Sequence, residues 1–143
     1  MLKSSARNQF SGHISRVVPG AVNDEIEIDV PGLGPVVAIV THGSASAMGL
    51  KEGASAVALI KASSVILVAQ DQGMRFSARN HLQGRVARVT PGAVNTEVVL
   101  EAAGGASVVA IVTNESAQNL QLAEGKQAGA LFKASSVIVG VPA

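Results

Sequence analysis

The sequence predicts an all-β protein that consists of two similar small domains in tandem. Two observations carry this prediction. Four separate segments of the first half recur in the second half, and the apolar segments within each half show the β-branched composition or the alternation that is typical of strands. Aromatic residues make up only 2% of the chain, so that Val, Ile, Leu and Ala have to fill the interior.

The recurring segments keep one constant offset without a gap, which indicates a duplication. The pairs are residues 5–8 with 77–80, 19–23 with 91–95, 36–41 with 108–113, and 61–66 with 133–138. We therefore predict one domain over residues 1–70 and a second over residues 74–143. The connecting stretch 69–75 is short and mostly polar, so that we expect the two domains to lie side by side.

Five segments of the first copy are typical of strands: residues 10–18, 25–30, 36–40, 54–60 and 64–68. Residues 25–30 alternate between charged and apolar side chains, the pattern of a strand with one buried face. Residues 36–40 are continuously apolar and rich in Val and Ile, which is typical of a strand buried on both faces. Pro and Gly at 19–20 and 31–35 mark turns between strands.

One short helix is predicted between the third and fourth strands. Residues 44–50 begin with Ser44 as a helix cap, continue with small residues and reach Gly49, so that they allow one or two turns. Five strands with a short helix after the third is the element order of the OB-fold barrel. The predicted fold class is therefore two tandem OB-fold-like five-stranded barrels, each with this helix.

Residues that commonly carry catalysis form no repeated pattern. The histidines His13, His42 and His81 are replaced in the other copy by Arg85, Asn114 and Gln9. A catalytic or metal site built into the repeat would recur, so we interpret the histidines as surface residues. The acidic residues Asp24, Glu25, Glu27 and Asp29 of the second strand are interpreted as a solvated face. With no phosphate loop and no nucleophile elbow, we predict that the protein is not an enzyme and uses neither a cofactor nor a directly bound metal.

Composition also argues against two classes of partner. A net charge of +1, three Phe residues and no Tyr or Trp do not suit an OB-fold that binds nucleic acid, because such proteins stack bases on aromatic side chains in basic grooves. The first eight residues contain no apolar stretch, and no apolar run is long enough for a membrane helix. We therefore expect no signal peptide and no membrane partner, and since the chain lacks Cys we expect a cytoplasmic protein.

The repeated polar residues point to an anion site. Each copy opens with Ser-Ala-Arg-Asn and carries Lys-Ala-Ser-Ser between its last two strands. These motifs supply two cations and two hydroxyls per copy: Ser5, Arg7, Lys61 and Ser63 in the first, and Ser77, Arg79, Lys133 and Ser135 in the second. A donor set without an acidic member suits a compact dianion. One such cluster alone would be ordinary polarity at turns, and its recurrence favours the anion site.

The same motifs resemble the Mop (molbindin) family. They are Ser-Ala-Arg-Asn-x-x-x-Gly at 5–12 and 77–84, Val-Ala-Ile-Val-Thr at 37–41 and 109–113, and Lys-Ala-Ser-Ser-Val-Ile at 61–66 and 133–138. The resemblance covers essentially the whole chain, twice, as in the tandem members of the family. It implies that the protein binds molybdate as an intact oxyanion, by hydrogen bonds and charge and without a protein–molybdenum bond. Because tungstate is nearly the same size, we expect it to bind as well.

The resemblance also implies which residues hold the anion. In the family, one unit supplies the Ser, Arg and Lys set with main-chain N–H groups, and the neighbouring unit supplies a Thr and a Ser that follow the central strand. The matching residues are Ser5, Arg7, Lys61, Ala62, Ser63, Thr41 and Ser44 in the first copy, and Ser77, Arg79, Lys133, Ala134, Ser135, Thr113 and Ser116 in the second. A second kind of family site lies on a three-fold axis, which we expect at Gly20, Ala21, Val22, Gly92, Ala93 and Val94. A homotrimer is therefore implied.

Two further expectations concern the affinity of the two copies and the role of the protein. Glu115 stands in the second copy where the first has Gly43, and because a nearby carboxylate weakens the binding of a dianion, we expect the two copies to differ in affinity. We expect the protein to serve intracellular molybdenum storage and homeostasis. The alternative is a molybdate-sensing regulatory module that acts on a partner protein, because tandem units in the family are also joined to a DNA-binding domain or follow a transporter ATPase.

Overall fold

The computed structural model of the chain describes residues 2–70 and 72–143. The strands of the first repeat are β1 (Asn8–Val18), β2 (Asn23–Val30), β3 (Gly34–Thr41), β4 (Ser55–Ile60) and β5 (Ile66–Val68). Those of the second repeat are β6 (Asn80–Pro91), β7 (Asn95–Ala102), β8 (Ser107–Thr113), β9 (Gln127–Phe132) and β10 (Ile138–Gly140). A helix follows the third strand of each repeat, α1 (His42–Met48) and α2 (Asn114–Asn119), and a 3₁₀ turn precedes each last strand, at Ala62–Ser64 and Ala134–Ser136. The predicted fold class is confirmed.

Local details refine the predicted elements. Ser64 belongs to the 3₁₀ turn, so that the fifth strand begins only at Ile66. The cap of α1 is Thr41 rather than Ser44: its Oγ1 accepts a hydrogen bond from the Ser44 N–H at 3.1 Å. Gly49 ends this helix in the left-handed conformation, with φ 64°.

The two repeats exchange their last strands. Each sheet has five strands, in the orders β10-β4-β1-β2-β3 and β5-β9-β6-β7-β8. Ile138 of the second repeat therefore pairs with Leu59 of the first, and Ile66 pairs with Leu131 in the same way. The repeats are thus not only neighbours but interlocked. The predicted boundary between residues 70 and 74 separates the sequence repeats, whereas each sheet contains residues of both.

Equivalent irregularities curl the two sheets. The register shifts after Ile14, where β1 pairs with β2, and after Val86, where β6 pairs with β7. Such bulges bend a strand and increase its twist, as a closing sheet requires. The Gly of the opening motif lies just before each bulge, and a Cβ on Gly12 would collide with the carbonyl oxygen of Asp29. The motif therefore requires Gly here because the neighbouring strand approaches closely.

The interior of both barrels is aliphatic. The largest fully buried side chains include Ile14, Ile26, Ile28, Val36 and Ile60 of the first repeat and Val86, Val98, Leu100, Val108 and Phe132 of the second. They belong to one cluster that continues through both repeats. Because small domains bury a low fraction of their surface alone, this shared core gives each repeat apolar contacts that it could not make by itself.

Two buried asparagines tie each repeat to the other. Nδ2 of Asn80 donates to the Val37 carbonyl oxygen at 2.8 Å, and its Oδ1 accepts from the Val37 N–H at 2.8 Å. Asn8 forms the same pair of hydrogen bonds with Val109, each of 2.8 Å. Since β3 and β8 each lie at one edge of their sheet, each asparagine amide takes the place of a neighbouring strand there.

Candidate functional site

The first cleft forms where the segment before β1 meets the segment after β4. These strands are antiparallel neighbours with Asn8 opposite Ile60, so that the residues preceding one and following the other lie at the same end of the sheet. They line a cleft of about 400 Å³. The predicted residues it brings together are Ser5, Arg7, Lys61, Ala62 and Ser63.

The second repeat builds the equivalent cleft in the same way. Asn80 in β6 lies opposite Phe132 in β9, which places the opening motif beside the Lys-Ala-Ser-Ser motif. The cleft has a volume of about 630 Å³. It brings together Ser77, Arg79, Lys133, Ala134 and Ser135, all of which the sequence indicated.

Each cleft is also lined by apolar side chains of the other repeat. Ile111 and Ile138 contribute to the first cleft, and Ile39 and Ile66 contribute to the second. Ile66 and Ile138 reach these positions because β5 and β10 are the exchanged strands. The other repeat thus adds isoleucine side chains to both clefts, and Ser63 and Ser64 to the second cleft as well.

The Thr and Ser residues that follow the central strands occupy the helix starts. Thr41 and Ser44 join their hydroxyls at 2.8 Å in the first turn of α1, and Thr113 and Ser116 do the same in α2. These four residues do not line either cleft. Thr41 follows Ile39 by two residues on the same face of β3, which is about 7 Å along a strand. The first copy's pair therefore lies beyond the edge of the second copy's cleft.

Carboxylates contact the arginines of both clefts, contrary to the prediction of a donor set without an acidic member. Arg79 Nη2 and Nη1 donate to the two oxygens of Glu25 at 2.6 and 3.0 Å. Arg7 Nη2 donates to Glu97 at 2.7 Å. The hydrogen bonds from Arg79 hold the pKa of Glu25 below its usual value, and Glu25 in turn raises the pKa of Arg79. This contact was not expected from the sequence, because Glu25 and Arg79 belong to different repeats. Glu25 was therefore interpreted as part of a solvated face.

The turn after β1 is held by Asp24, which is 4% exposed. The prediction that this residue belongs to a solvated face is therefore wrong. Its carboxylate accepts hydrogen bonds from the Gly20 N–H at 3.0 Å and interacts with His42 Nδ1 at 2.9 Å. These two contacts, the first the larger, hold the pKa of Asp24 below its usual value. His42 is thus a half-exposed partner of a buried carboxylate rather than an isolated surface residue.

The second repeat replaces this charged contact by a neutral one. Thr96 Oγ1 donates to the Asn114 side-chain oxygen at 2.6 Å, and the Asn114 amide donates to the Gly92 carbonyl oxygen at 2.9 Å. The residues named for the axial site lie on these two turns and are all exposed: Gly20, Ala21, Val22, Gly92, Ala93 and Val94. The N–H groups of Gly20 and Gly92 are already bonded within their own turns. Glu115 is exposed at the start of α2.

Other ionisable groups suggest no further chemistry. In the described part of the chain, no group of three or more His, Asp or Glu side chains could hold a metal ion. His13 is exposed, and His81 packs edge-on against Phe76 with ring centres 5.8 Å apart. Over residues 2–70 and 72–143, the structure contains no helix of the length and apolar character needed to cross a membrane.

Comparison with known proteins gives a consistent result. The family described as the TOBE domain matches the chain twice, at residues 4–67 and 77–139. The molybdenum transport protein ModE of Herbaspirillum seropedicae is 44% identical over 140 residues, which are 98% of this chain and 52% of ModE. The molybdenum-pterin-binding protein MopA of Rhodobacter capsulatus is 44% identical over 141 residues, or 99% of this chain and 53% of MopA. The chain thus spans about half the length of these relatives.

A solved structure also matches nearly the whole chain. It is the cytoplasmic molybdate-binding protein ModG in a crystal form with molybdate bound. The TM-score is 0.93 at 44% sequence identity, and the match covers 99% of this chain and 100% of ModG. The names of these proteins describe binding or transport and not a reaction, which agrees with the prediction of a protein that is not an enzyme.

Proposed function

Since the chain belongs to the TOBE domain family and carries that domain twice, we propose that it binds molybdate as an intact oxyanion in its two equivalent clefts. The resemblance to the Mop family is confirmed by the similarity to MopA and ModG. MopA is described as binding molybdenum-pterin, ModG as binding molybdate, and the Herbaspirillum ModE as a molybdenum transport protein. The clefts of this chain suit a molybdate oxyanion.

The observation that carries the proposal is the convergence of the same donors in both clefts. Each cleft combines an Arg, a Lys and two Ser residues from two separate motifs of one repeat. Arg and Lys supply positive charge and the hydroxyls supply directed donors. A 3₁₀ turn carries Ala62 and Ser63, or Ala134 and Ser135, so that main-chain N–H groups lie beside these side chains.

The chemistry of the donor set favours a large oxyanion over a metal cation. Removing a dianion from water costs much free energy unless cations and donors match it closely. Donors at fixed positions discriminate by size, because a smaller anion such as sulfate leaves some of them badly paired. Tungstate has nearly the size of molybdate, and it should therefore bind to the same clefts.

Further copies of the chain would complete the sites. Thr41, Ser44, Thr113 and Ser116 lie outside the clefts of a single chain, and a neighbouring chain can supply them. The turns named for the axial site expose apolar side chains, with Val22 74% and Val94 72% exposed. Exposed apolar residues at equivalent places in both repeats support contacts between copies. A homotrimer is therefore the proposed assembly.

The proposed role is storage and homeostasis of molybdenum in the cytoplasm, where ModG is described to act. The match to half of the transcriptional regulator ModE of Yersinia pestis, at 34% identity, supports a second candidate, a molybdate-sensing module that acts through a partner protein. A binding partner whose affinity for the chain changes with molybdate would favour the sensing role. Equal binding of all partners with and without molybdate would favour storage.

The experiment that tests the proposal is a calorimetric titration of the full chain with sodium molybdate, repeated in excess sodium sulfate. The proposal predicts tight binding of more than one molybdate per chain that sulfate does not displace. Absent binding, or binding that sulfate abolishes, would contradict the proposal and would leave a generic anion site.

A further inference from the structure

Two carboxylates contact the arginines of the proposed anion sites from the opposite repeat. Glu25 lies on β2 of the first repeat and contacts Arg79 of the second, and Glu97 lies on β7 of the second repeat and contacts Arg7 of the first. Exposed ion pairs usually contribute little to stability. Here the same pair recurs at equivalent positions of both repeats, and each arginine lines a cleft, which points to a role in binding.

The geometry makes the carboxylates competitors for the same donors. A guanidinium has five N–H donors in one plane, and a bidentate carboxylate occupies one edge of that plane. At Arg79, Glu25 takes one donor from Nη1 and one from Nη2. An oxyanion in the cleft then has to take the remaining donors or replace the carboxylate. In the first case a dianion and a carboxylate share one cation, and in the second the anion has to break the carboxylate–arginine contact. Both weaken the binding of the anion.

The two pairs are not equally strong. Glu25 commits both of its oxygens to Arg79, at 2.6 and 3.0 Å. Glu97 makes one hydrogen bond to Arg7 at 2.7 Å, and its other oxygen lies 3.6 Å from Arg88. Arg79 is therefore held more firmly by its carboxylate than Arg7 is.

We propose that Glu25 and Glu97 set the affinity of the two clefts by competing with the bound anion for Arg79 and Arg7. This inference rests on the proposed function of the clefts. The competition favours release of the anion, because the carboxylate replaces it on the arginine. The bidentate contact makes the Arg79 cleft the weaker of the two, so that the repeats fill in sequence as molybdate rises.

The test is molybdate titration of Glu25→Gln and Glu97→Gln, each in a background that leaves one cleft. Arg7→Ala leaves the Arg79 cleft for Glu25→Gln, and Arg79→Ala leaves the Arg7 cleft for Glu97→Gln. Removing one carboxylate charge at a partly exposed site should tighten binding about tenfold for Glu25→Gln and about threefold for Glu97→Gln. Thermal unfolding of each variant checks that the fold is kept.

The matched control is Glu101→Gln, which removes the same charge from an exposed position on β7. It should leave the affinity within about twofold of its background. A second check places Glu25→Gln in an Arg79→Ala chain, where the effect on binding should vanish. If the unaltered chain binds molybdate, but Glu25→Gln in the Arg7→Ala background binds it no more tightly than Arg7→Ala alone, the competition is refuted and the proposed function stands. If the unaltered chain binds no molybdate, both fail.

Discussion

Replacing Asn80 by Ala should weaken the fold by removing a hydrogen-bonded contact between the repeats. Asn80 is 3% exposed, and its amide satisfies both the N–H and the carbonyl oxygen of Val37. An unsatisfied buried polar group costs about 1–3 kcal/mol, and the variant leaves two of them. Water entering the space left by the side chain recovers part of this cost. We expect a loss of about 2–4 kcal/mol in the free energy of unfolding, which is a large part of the roughly 5–15 kcal/mol typical of native proteins.

Urea denaturation followed by circular dichroism measures this loss. Asn80→Asp separates hydrogen bonding from packing, because it keeps the shape of the side chain but turns an acceptor towards the Val37 carbonyl oxygen. It should also lose stability. Asn119→Ala is the control, since Asn119 is exposed at the end of α2, and it should stay within about 0.5 kcal/mol of the unaltered chain. An Asn80→Ala chain as stable as this control would show that the contact between Asn80 and Val37 does not stabilise the fold.

Three further outcomes are expected. Gly84→Ala should destabilise the chain by about 1–3 kcal/mol, because its Cβ would collide with the Glu101 carbonyl oxygen. Gly43→Ala places its Cβ in open space and should not destabilise the chain, and chemical denaturation compares the two variants. The pKa of Asp24 is lower in the folded chain than in the unfolded chain, where it is about 3.9, so that its contribution to stability is present above this value and lost as the pH falls through the folded-state pKa. Asp24→Asn should therefore flatten the fall of the melting temperature below about pH 4. An unchanged profile would contradict this. Light scattering of the full chain without molybdate should give the mass of a trimer, and the mass of a monomer would refute the shared sites.

The fold was predictable because its main signals are local and occur twice. The alternation at residues 25–30 and the apolar run at 36–40 each identify a strand within one segment, and the apolar run recurs at 108–112 in the second copy. The exchange of β5 and β10 was not predictable. Each last strand has the same apolar pattern whichever sheet it joins, and only the three-dimensional arrangement selects its partner.

The candidate site was likewise predictable only in part. Arg7, Lys61 and their equivalents stand in short motifs whose recurrence indicated a shared role, and the antiparallel pairing of β1 with β4 brings the two motifs together. Glu25 and Glu97 were missed because their partners lie in the other repeat, far away in the sequence. One signal could have indicated them: Glu25 recurs as Glu97, whereas Asp24 and Glu27 are replaced by Thr96 and Val99.

The most direct test of molybdate binding in the two clefts is the number of molybdenum atoms bound per chain after equilibrium dialysis. It is measured for the unaltered protein, Arg7→Ala and Lys133→Ala. Each variant removes a cation from one cleft, and Lys51→Ala, which lines neither cleft, is the charge-matched control. If the clefts hold molybdate, each cleft variant loses a distinct subset of the bound molybdenum, while its circular dichroism spectrum and the count for Lys51→Ala stay unchanged. An undiminished count in both cleft variants would show that the anion is not held by these residues.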